Sequence, residues 1–560
     1  MSVSPNGTVR IGVDVGGTFT DVVVADDSTG ELISLKVPTT PDNLLEGIFR
    51  GLAKAAGRWS ESAPDLLKRA SSFVHGTTVC TNLMVQRAGA KVGLIATEGF
   101  RDSLALRRGA RESVWDMRTP NPPDLVPRHL RVGVRERMDC FGEPLVPLDE
   151  ESVEDALTHL KAHGVEAVAV CLFNAYADGR HEVAVKERAG AVMPGVPVLL
   201  SSDVLPVAGE YERASTTAIH AYVAPGAASY LNALDAELKS QGLRAKPLII
   251  QGNGGVLDPE RSVRRPGMLV LSGPAAATAA GLQYGKAVGD LNLLILDMGG
   301  TSCDLSVVVN GRIPTADVVE VEGYHLATPS LEVKTIGTGG GTIAFVDPGG
   351  MLCVGPRGSG ADPGPVCYGR GGEEPTVTDA NLILGRLGTD DFAGGEISID
   401  RERAEAVIRR KIAEPLGLSP IEAARAIVRI ANQNMISALE MISLEKGRDP
   451  RDFTLIAAGG AGPLHASALA EALGIRRVYV PRQAAVFSAL GLLHADLRQD
   501  YVQSFNGDLA TAPPEELKGV FRRLTASARE EFLEMGVRPR TWRWSLKPTF
   551  ATGGSTGAFP

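Results

Sequence analysis

Two short stretches of the chain carry the same arrangement of chemically capable residues, Asp-x-Gly-Gly-Thr-x-x-Asp. It occurs in IGVDVGGTFTDVVV, Ile11 to Val24, and again in LILDMGGTSCDLSVV, Leu294 to Val308. Asp14 then corresponds to Asp297, Gly16 and Gly17 to Gly299 and Gly300, Thr18 to Thr301, and Asp21 to Asp304. Glycine lacks a Cβ and tolerates positive φ, so backbone N–H groups at such a turn can approach an anion closely, and phosphate is the natural guest. The hydroxyls of Thr18, Thr20, Thr301 and Ser302 add donors, and Asp14 and Asp297, at the ends of the first strands, suit Mg²⁺ held directly or through water, with Mn²⁺ as an alternative. One copy reads equally well as a tight turn with a capping Asp. Two copies in separate parts of one chain point to facing hairpins that grip the phosphates of a nucleotide from both sides.

The elements that must position these residues are also marked. Each copy has an apolar run on either side of its glycines, the pattern of a β-hairpin. The run FTLIAA, Phe453 to Ala458, leads into GGAGPLHASALAEALG, which reads as strand, glycine turn and helix. Gly459, Gly460 and Gly462 there would let backbone lie against the flat adenosine part of a nucleotide, beside a helix N-terminus. Ser419, Pro420 and Glu422 form a helix start, Lys446 and Gly447 its end, and Ile427, Ala431, Ala438 and Ile442 recur near helical spacing. A second helix is expected from Gly209, in GEYERASTTAIHAYV. The glycine-rich run GTGGGTIAFVDPGG fits a loop near a ligand or a set of hairpin turns. Helices alternate with strands in both parts, which makes the class α/β.

Composition bounds the rest. With 560 residues, 44% apolar and 22% charged, the chain has the make-up of a soluble globular protein and the length for two or more cores. A net charge of −9 and the lack of a dense Lys/Arg block argue against nucleic acid as a partner. No apolar stretch reaches bilayer-spanning length and the N-terminus has no export signature, so no membrane role and a cytoplasmic location are expected. The 6 cysteines read as reduced core thiols.

The sequence resembles the hydantoinase A and 5-oxoprolinase family of the actin, sugar-kinase and heat-shock ATPase superfamily. The resemblance runs from about residue 10 to about residue 500, through IGVDVGGTFTD, VHGTTVCTNLMVQRAGAKVGLIATEGFRD, EYERASTTAIHAYV, QGNGGV, LSGPAAA, LDMGGTSCD, the long block from Ile336 to Leu387, and GGAGPLHA. It implies a duplicated actin-like ATPase fold, two ribonuclease H-like halves around a nucleotide cleft. Residues 1–200 would form the N-terminal half and 201–500 the second, with 501–560 a shortened C-terminal segment. It further implies ATP- and Mg²⁺-dependent opening of a small cyclic amide or imide, such as a hydantoin or 5-oxoproline, by phosphorylation of the carbonyl oxygen, with a hydantoinase B-type subunit as partner. An acetone- or acetophenone-type carboxylase subunit is the alternative activity. A non-catalytic nucleotide-binding module is an alternative of another kind.

Departures from the family pattern are Cys80 in HGTTVCTN, His220 before Ala-Tyr-Val, and the tail TWRWSLKPTFATGGSTGAFP, which reads as truncated or out of frame. Asp14, Asp297, His75 and Thr77 are the catalytic candidates. His75, between SSFV and Gly-Thr-Thr, would be an acid, base or metal ligand, or else a histidine bonding its own loop. Glu210 and Arg213 read as an exposed helical pair with a lesser claim to a site role. His129, His159, His163 and His181 read as surface residues.

Overall fold

The computed structural model describes residues 8–40, 43–109, 113, 115–388, 397–507, 513–537 and 542–545. From residue 546 onward, the tail read as truncated lies outside them. Two sheets repeat one topology. In the first, strands Leu32–Pro38, Phe19–Asp26, Val9–Val15, Ala70–Thr77 and Pro247–Ile250 lie side by side, with Val256–Leu257 at the far edge. In the second, the order is Val333–Ile336, Cys303–Val308, Leu293–Met298, Thr454–Ala458 and Arg477–Tyr479. Counted along the chain, each runs third, second, first, fourth, fifth, the first three strands antiparallel and the last two joined in parallel. Both expected hairpins are the first and second strands of this repeat. A boundary at residue 200 would separate the first sheet from its fifth strand.

Burial explains why these segments are strands. Val9, Ile11, Val13 and Val15 are fully buried, and every residue of Ala70–Thr77 is buried, as expected for a parallel strand covered on both faces. The helix Pro420–Ile442 covers the second sheet with Ile427, Ala431, Ala438 and Ile442 all buried, and its capping box between Ser419 and Glu422 is complete. Leu444–Lys446 adds a 3₁₀ turn that ends at Gly447 with a left-handed φ of 70°.

Between the fourth and fifth strands of the first sheet the chain builds a separate parallel sheet, ordered Val198–Leu200, Ala167–Cys171, Val92–Thr97, Arg131–Val134. The helix Glu210–Ser240 joins this unit to the first sheet. At its start Arg213 is fully buried, donating to Glu210 at 2.9 Å and to the Leu172 carbonyl at 2.7 Å and facing buried Glu182 at 3.7 Å. The pair read as exposed is thus an internal clamp, because the inserted unit covers the helix. His181 is likewise no surface residue; its Nδ1 lies 2.9 Å from buried Glu136.

The helix Ser272–Val288 carries the chain from the first sheet to the second and crosses the short helix Phe487–Leu492. A Cβ at Gly491 would overlap the Ala276 carbonyl, so the crossing requires glycine. Four cysteines, 80, 171, 303 and 367, are buried free thiols, whereas Cys140 is exposed. The helix Pro514–Glu534 folds back onto the first half through Glu534 to Arg261 at 2.8 Å, and its Glu531 accepts from Tyr501 in the segment before it. No helix among the described residues is long and apolar enough to cross a membrane.

Candidate active site

The two glycine turns meet. Gly16 N–H donates to the Phe19 carbonyl and Gly299 N–H to the Ser302 carbonyl, each at 3.0 Å, so the turns share one geometry. The hydroxyl oxygens of Thr18 and Thr301 lie 3.3 Å apart across the gap between them. A Cβ at Gly300 would lie 3.1 Å from the Thr18 hydroxyl, and one at Gly17 3.7 Å from that of Thr301. None of Gly16, Gly17, Gly299 and Gly300 has a left-handed φ; their value here is the close approach of the two turns rather than conformational freedom.

The turns are anchored from behind. Thr39 donates its hydroxyl to the Gly16 carbonyl at 2.9 Å and its N–H to the Thr18 carbonyl at 2.9 Å. The run Gly339 to Gly341 does the same in the second half, with Gly340 N–H on the Gly299 carbonyl at 3.0 Å and Gly341 N–H on that of Gly300 at 2.7 Å. The glycine-rich loop therefore supports the second turn and then continues as the hairpin Thr342–Val346 and Leu352–Gly358. Among the described residues the amides of Gly17, Thr18, Gly300 and Thr301 have no acceptor. Four such donors around one gap form an anion cradle.

Behind each turn a row of side chains runs across the sheet on one face. In the first half the row is Lys36, Asp21, Asp14 and Gly76; in the second it is Thr335, Asp304, Asp297 and Ala458. In-register neighbours project to the same side, so the duplication brings four half-buried carboxylates together. Burial and the charges of Asp21 and Asp297 push Asp14 up to about 8, and burial with Asp297 pushes Asp304 up to about 7. Asp21 is raised by burial against the opposing charge of Lys36, whose Nζ lies 2.6 Å away; Asp297 is raised by burial although Ser488 donates to it at 2.8 Å.

One oxygen of Asp14, Oδ1, is buried without a partner. A carboxylate left this way, within a like-charged group, suits a divalent cation. Among the described residues no three His, Cys, Asp or Glu side chains form a metal cage. Mg²⁺ uses one or two carboxylates together with phosphate oxygens and water.

The third glycine turn packs on the second hairpin. Ala461 N–H donates to the Met298 carbonyl at 3.0 Å. Gly459 has φ of 79°, and a Cβ there would overlap that carbonyl and stand 2.6 Å from Asp297 Oδ1. Gly462 lies against Leu296, and Gly460 is exposed with open space around it. Ser302 flanks the second turn, half-buried.

Other candidates lie elsewhere. Thr20 is fully buried with its hydroxyl 3.1 Å from that of Thr39, beneath the turn. His75 pairs in register with Val13, so its ring projects to the face opposite Asp14. Its Nδ1 donates to the Val13 carbonyl at 3.0 Å, which leaves Nε2 to accept from the Tyr230 hydroxyl at 2.8 Å. Burial lowers its pKa to about 4. Both ring nitrogens are engaged, Nδ1 by the Val13 carbonyl and Nε2 by Tyr230, and in this geometry neither is open to a metal or a substrate. Thr77 is buried on the same face; its hydroxyl accepts from Val79 N–H at 3.2 Å and its carbonyl from Ser272. Residues that motif reading passed over are Lys36, Thr39, Thr335 and Ser488, which reach the site through sheet register or from distant loops.

Residues 213–501 match the hydantoinase/oxoprolinase family model, and residues 10–193 match that of the hydantoinase/oxoprolinase N-terminal region. The chain belongs to the hydantoinase/oxoprolinase family. It is 39% identical over 493 residues to the caprolactamase subunit alpha of Pseudomonas jessenii, covering 88% of this chain and 71% of that one. The crystal structure of the ATP-dependent caprolactamase from Pseudomonas jessenii superposes with a TM-score of 0.80 at 37% identity, covering 93% of this chain and 76% of that one. The nucleotide-free structure of acetone carboxylase, from work on ATP-dependent acetone carboxylation, gives a TM-score of 0.83 at 29% identity, covering 95% and 78%. This hydantoinase/oxoprolinase chain therefore shares the duplicated actin-like ATPase fold, and the two halves described above are its repeat.

Proposed function

We propose that the chain is the ATP-using subunit of an enzyme that opens a cyclic amide, a lactam or imide, by phosphorylation of the amide oxygen. The observation that carries this reading is the pair of facing turns whose four unpaired amides surround one gap above the Asp14 and Asp297 rows. Its likeness to an ATP-dependent caprolactamase supplies the substrate class.

An amide carbonyl resists water because nitrogen donates into it. Phosphorylation of the oxygen, with ADP departing, would draw the nitrogen lone pair into a C=N bond and leave the carbon electrophilic. Water would add there, the ring C–N bond would break with a proton going to nitrogen, and the acyl phosphate so formed would be hydrolysed to carboxylate and phosphate. Bound MgATP supplies the electrophilic phosphoryl group and a metal charge that neutralises its oxygens. The protein's own part is positioning and electrostatics: amides of Gly17, Thr18, Gly300 and Thr301 hold phosphate oxygens, and the Thr18 and Thr301 hydroxyls reach the same gap. Asp14 carries the oxygen best placed to take a cation. Asp297 is held by Ser488, so it keeps one orientation and suits a water-mediated contact. Gly459, Gly460 and Gly462 leave a bare backbone surface for the adenosine. His75, Thr77 and Tyr230 act as a buried brace under the first sheet.

The likeness to acetone carboxylase favours a second reading, an ATP-using carboxylase subunit that activates a ketone. The caprolactamase relative is named as a subunit, and a hydantoinase B-type chain is the partner proposed here. ATP hydrolysis by the purified chain with its partner decides. Stimulation by hydantoin, 5-oxoproline or caprolactam supports the first reading, and stimulation by a ketone with bicarbonate supports the second. Nucleotide binding without stimulation by any of them would leave a binding module and reject both.

A further inference from the structure

The two halves repeat each other row by row, and they differ at one chemically decisive place. The position across the ladder from Asp21 is Lys36, while the equivalent position across from Asp304 is Thr335. Each reaches its aspartate: Lys36 Nζ to Asp21 Oδ1 at 2.6 Å, and the Thr335 hydroxyl to Asp304 Oδ1 at 2.7 Å. Both side chains thus do the same structural job for the hairpin, and a neutral hydroxyl suffices in the second half. The charge in the first half exceeds what the sheet needs.

Lys36 is also placed to offer that charge outward. Its side chain retains 23% exposure, with the ammonium 5.1 Å from the centroid of the Phe19 ring, at the start of the strand that leaves the first turn. The ring faces the ammonium itself, which has two N–H donors beyond its bond to Asp21. Its charge acts on Asp14, Asp21 and Asp297 together, which places it among the carboxylates of both halves. The terminal phosphate of a nucleoside triphosphate carries about two negative charges near neutrality and the inner ones about one each. Each row holds two aspartates but only the first adds a cation, so the cleft is less negative on the Lys36 side and should orient such a ligand.

We propose that Lys36 is a phosphate-contacting residue that reads the terminal phosphate of a nucleoside triphosphate, so that the first hairpin holds the transferable phosphate and the second, with Thr335, holds the inner ones. This rests on the nucleotide reading given above and extends it: the cleft should discriminate triphosphate from diphosphate through one side chain.

Equilibrium binding of ATP and ADP at fixed Mg²⁺, by calorimetry on the full chain with its partner, tests this without reference to turnover. Lys36→Met is expected to weaken ATP at least tenfold and ADP less than threefold, while Thr335→Val changes both by similar, smaller factors. Because Lys36→Met leaves Asp21 without its cation, the charge-balanced pair Lys36→Met with Asp21→Asn is measured beside it and should show the same loss of ATP-over-ADP preference. Equal losses for the two nucleotides, or an unchanged ratio, would overturn the assignment of Lys36 and leave the nucleotide site standing. If the unaltered protein binds neither nucleotide, both the nucleotide site and the role of Lys36 are rejected.

Discussion

The hydroxyls of Thr18 and Thr301 lie 3.3 Å apart although 283 residues separate them. Each sits on the turn of its own hairpin, so this one distance sets the width of the gap between the two halves. Cysteines at both positions should form an intramolecular disulfide under mild oxidation, since a bridge needs the two Cβ atoms about 4 Å apart. MgATP bound in the gap should slow it. Non-reducing electrophoresis with and without nucleotide checks this, and failure to crosslink in the nucleotide-free protein would contradict the facing arrangement.

Asp14→Asn and Asp297→Asn should each lower substrate-stimulated ATP hydrolysis by about 10²–10³-fold, the range found when one preorganised polar contact to a transition state is lost. Neither change removes buried apolar area, so far-UV circular dichroism and the melting temperature should stay close to those of the parent. Wild-type turnover in both variants would reject the site.

The third glycine turn offers a paired comparison. Gly459→Ala adds a methyl that overlaps the Met298 carbonyl at a φ of 79°, and should cost about 1–3 kcal/mol and disturb Asp297. Gly460→Ala meets open space and should fall within about 0.5 kcal/mol of the parent. Urea denaturation of both variants measures the contrast.

Arg213 and Glu182 are both fully buried. Arg213→Met leaves Glu182 without the opposite charge in a dry environment, with an expected cost of about 3–5 kcal/mol. A loss under 1 kcal/mol would show that the three hydrogen bonds from Leu172, Ser201 and Ser202 already satisfy Glu182.

The buried histidines and the buried carboxylates pull the pH dependence of stability in opposite directions. Burial lowers His75 to about 4, His220 to about 3 and His465 to about 4, against about 6.5 in an unfolded chain. Between those values the unfolded state binds protons at these histidines that the folded state refuses, so their contribution to stability falls as pH drops below about 6.5, while Asp14 and Asp304, raised to about 8 and about 7, bind protons in the folded state first and contribute in the opposite sense. The slope approaches about 1.4 kcal/mol per pH unit for each histidine. Denaturant midpoints of the parent and of His465→Gln at pH 7.5 and 5.5 isolate the histidine's share: the variant should lose less, or gain more, stability on acidification than the parent.

Much of the site was legible because its motif is local. Asp14 to Asp21 and Asp297 to Asp304 are each a strand end, a turn and a strand start, and repetition in one chain favoured a phosphate grip over an ordinary turn. Lys36 was accessible by the same logic taken one strand further: a turn joining Asp26 to Glu31 places residue 36 opposite residue 21. Thr39 and Ser488 offered no such signal, since their contacts depend on how loops close in three dimensions. His75 misled for a physical reason. A histidine in an apolar strand can be silent when a carbonyl and a tyrosine take both nitrogens, and Tyr230 lies 155 residues away. Arg213 looked exposed at helical spacing because nothing near it in sequence reveals the unit that covers it.

The parallel sheet that begins at Val92 leaves the first half after one strand and returns before its neighbour, Pro247–Ile250. Strands Ala70–Thr77 and Pro247–Ile250 lie side by side, so the excursion begins and ends at adjacent points of an intact scaffold. What hangs from those points can change in size and shape without shifting the register that aligns Asp14 with Asp21. Relatives acting on different compounds could thus diversify by remodelling this appendage while the phosphate-handling machinery is inherited unaltered, which makes it the natural segment to exchange in chimaeras built to alter substrate choice.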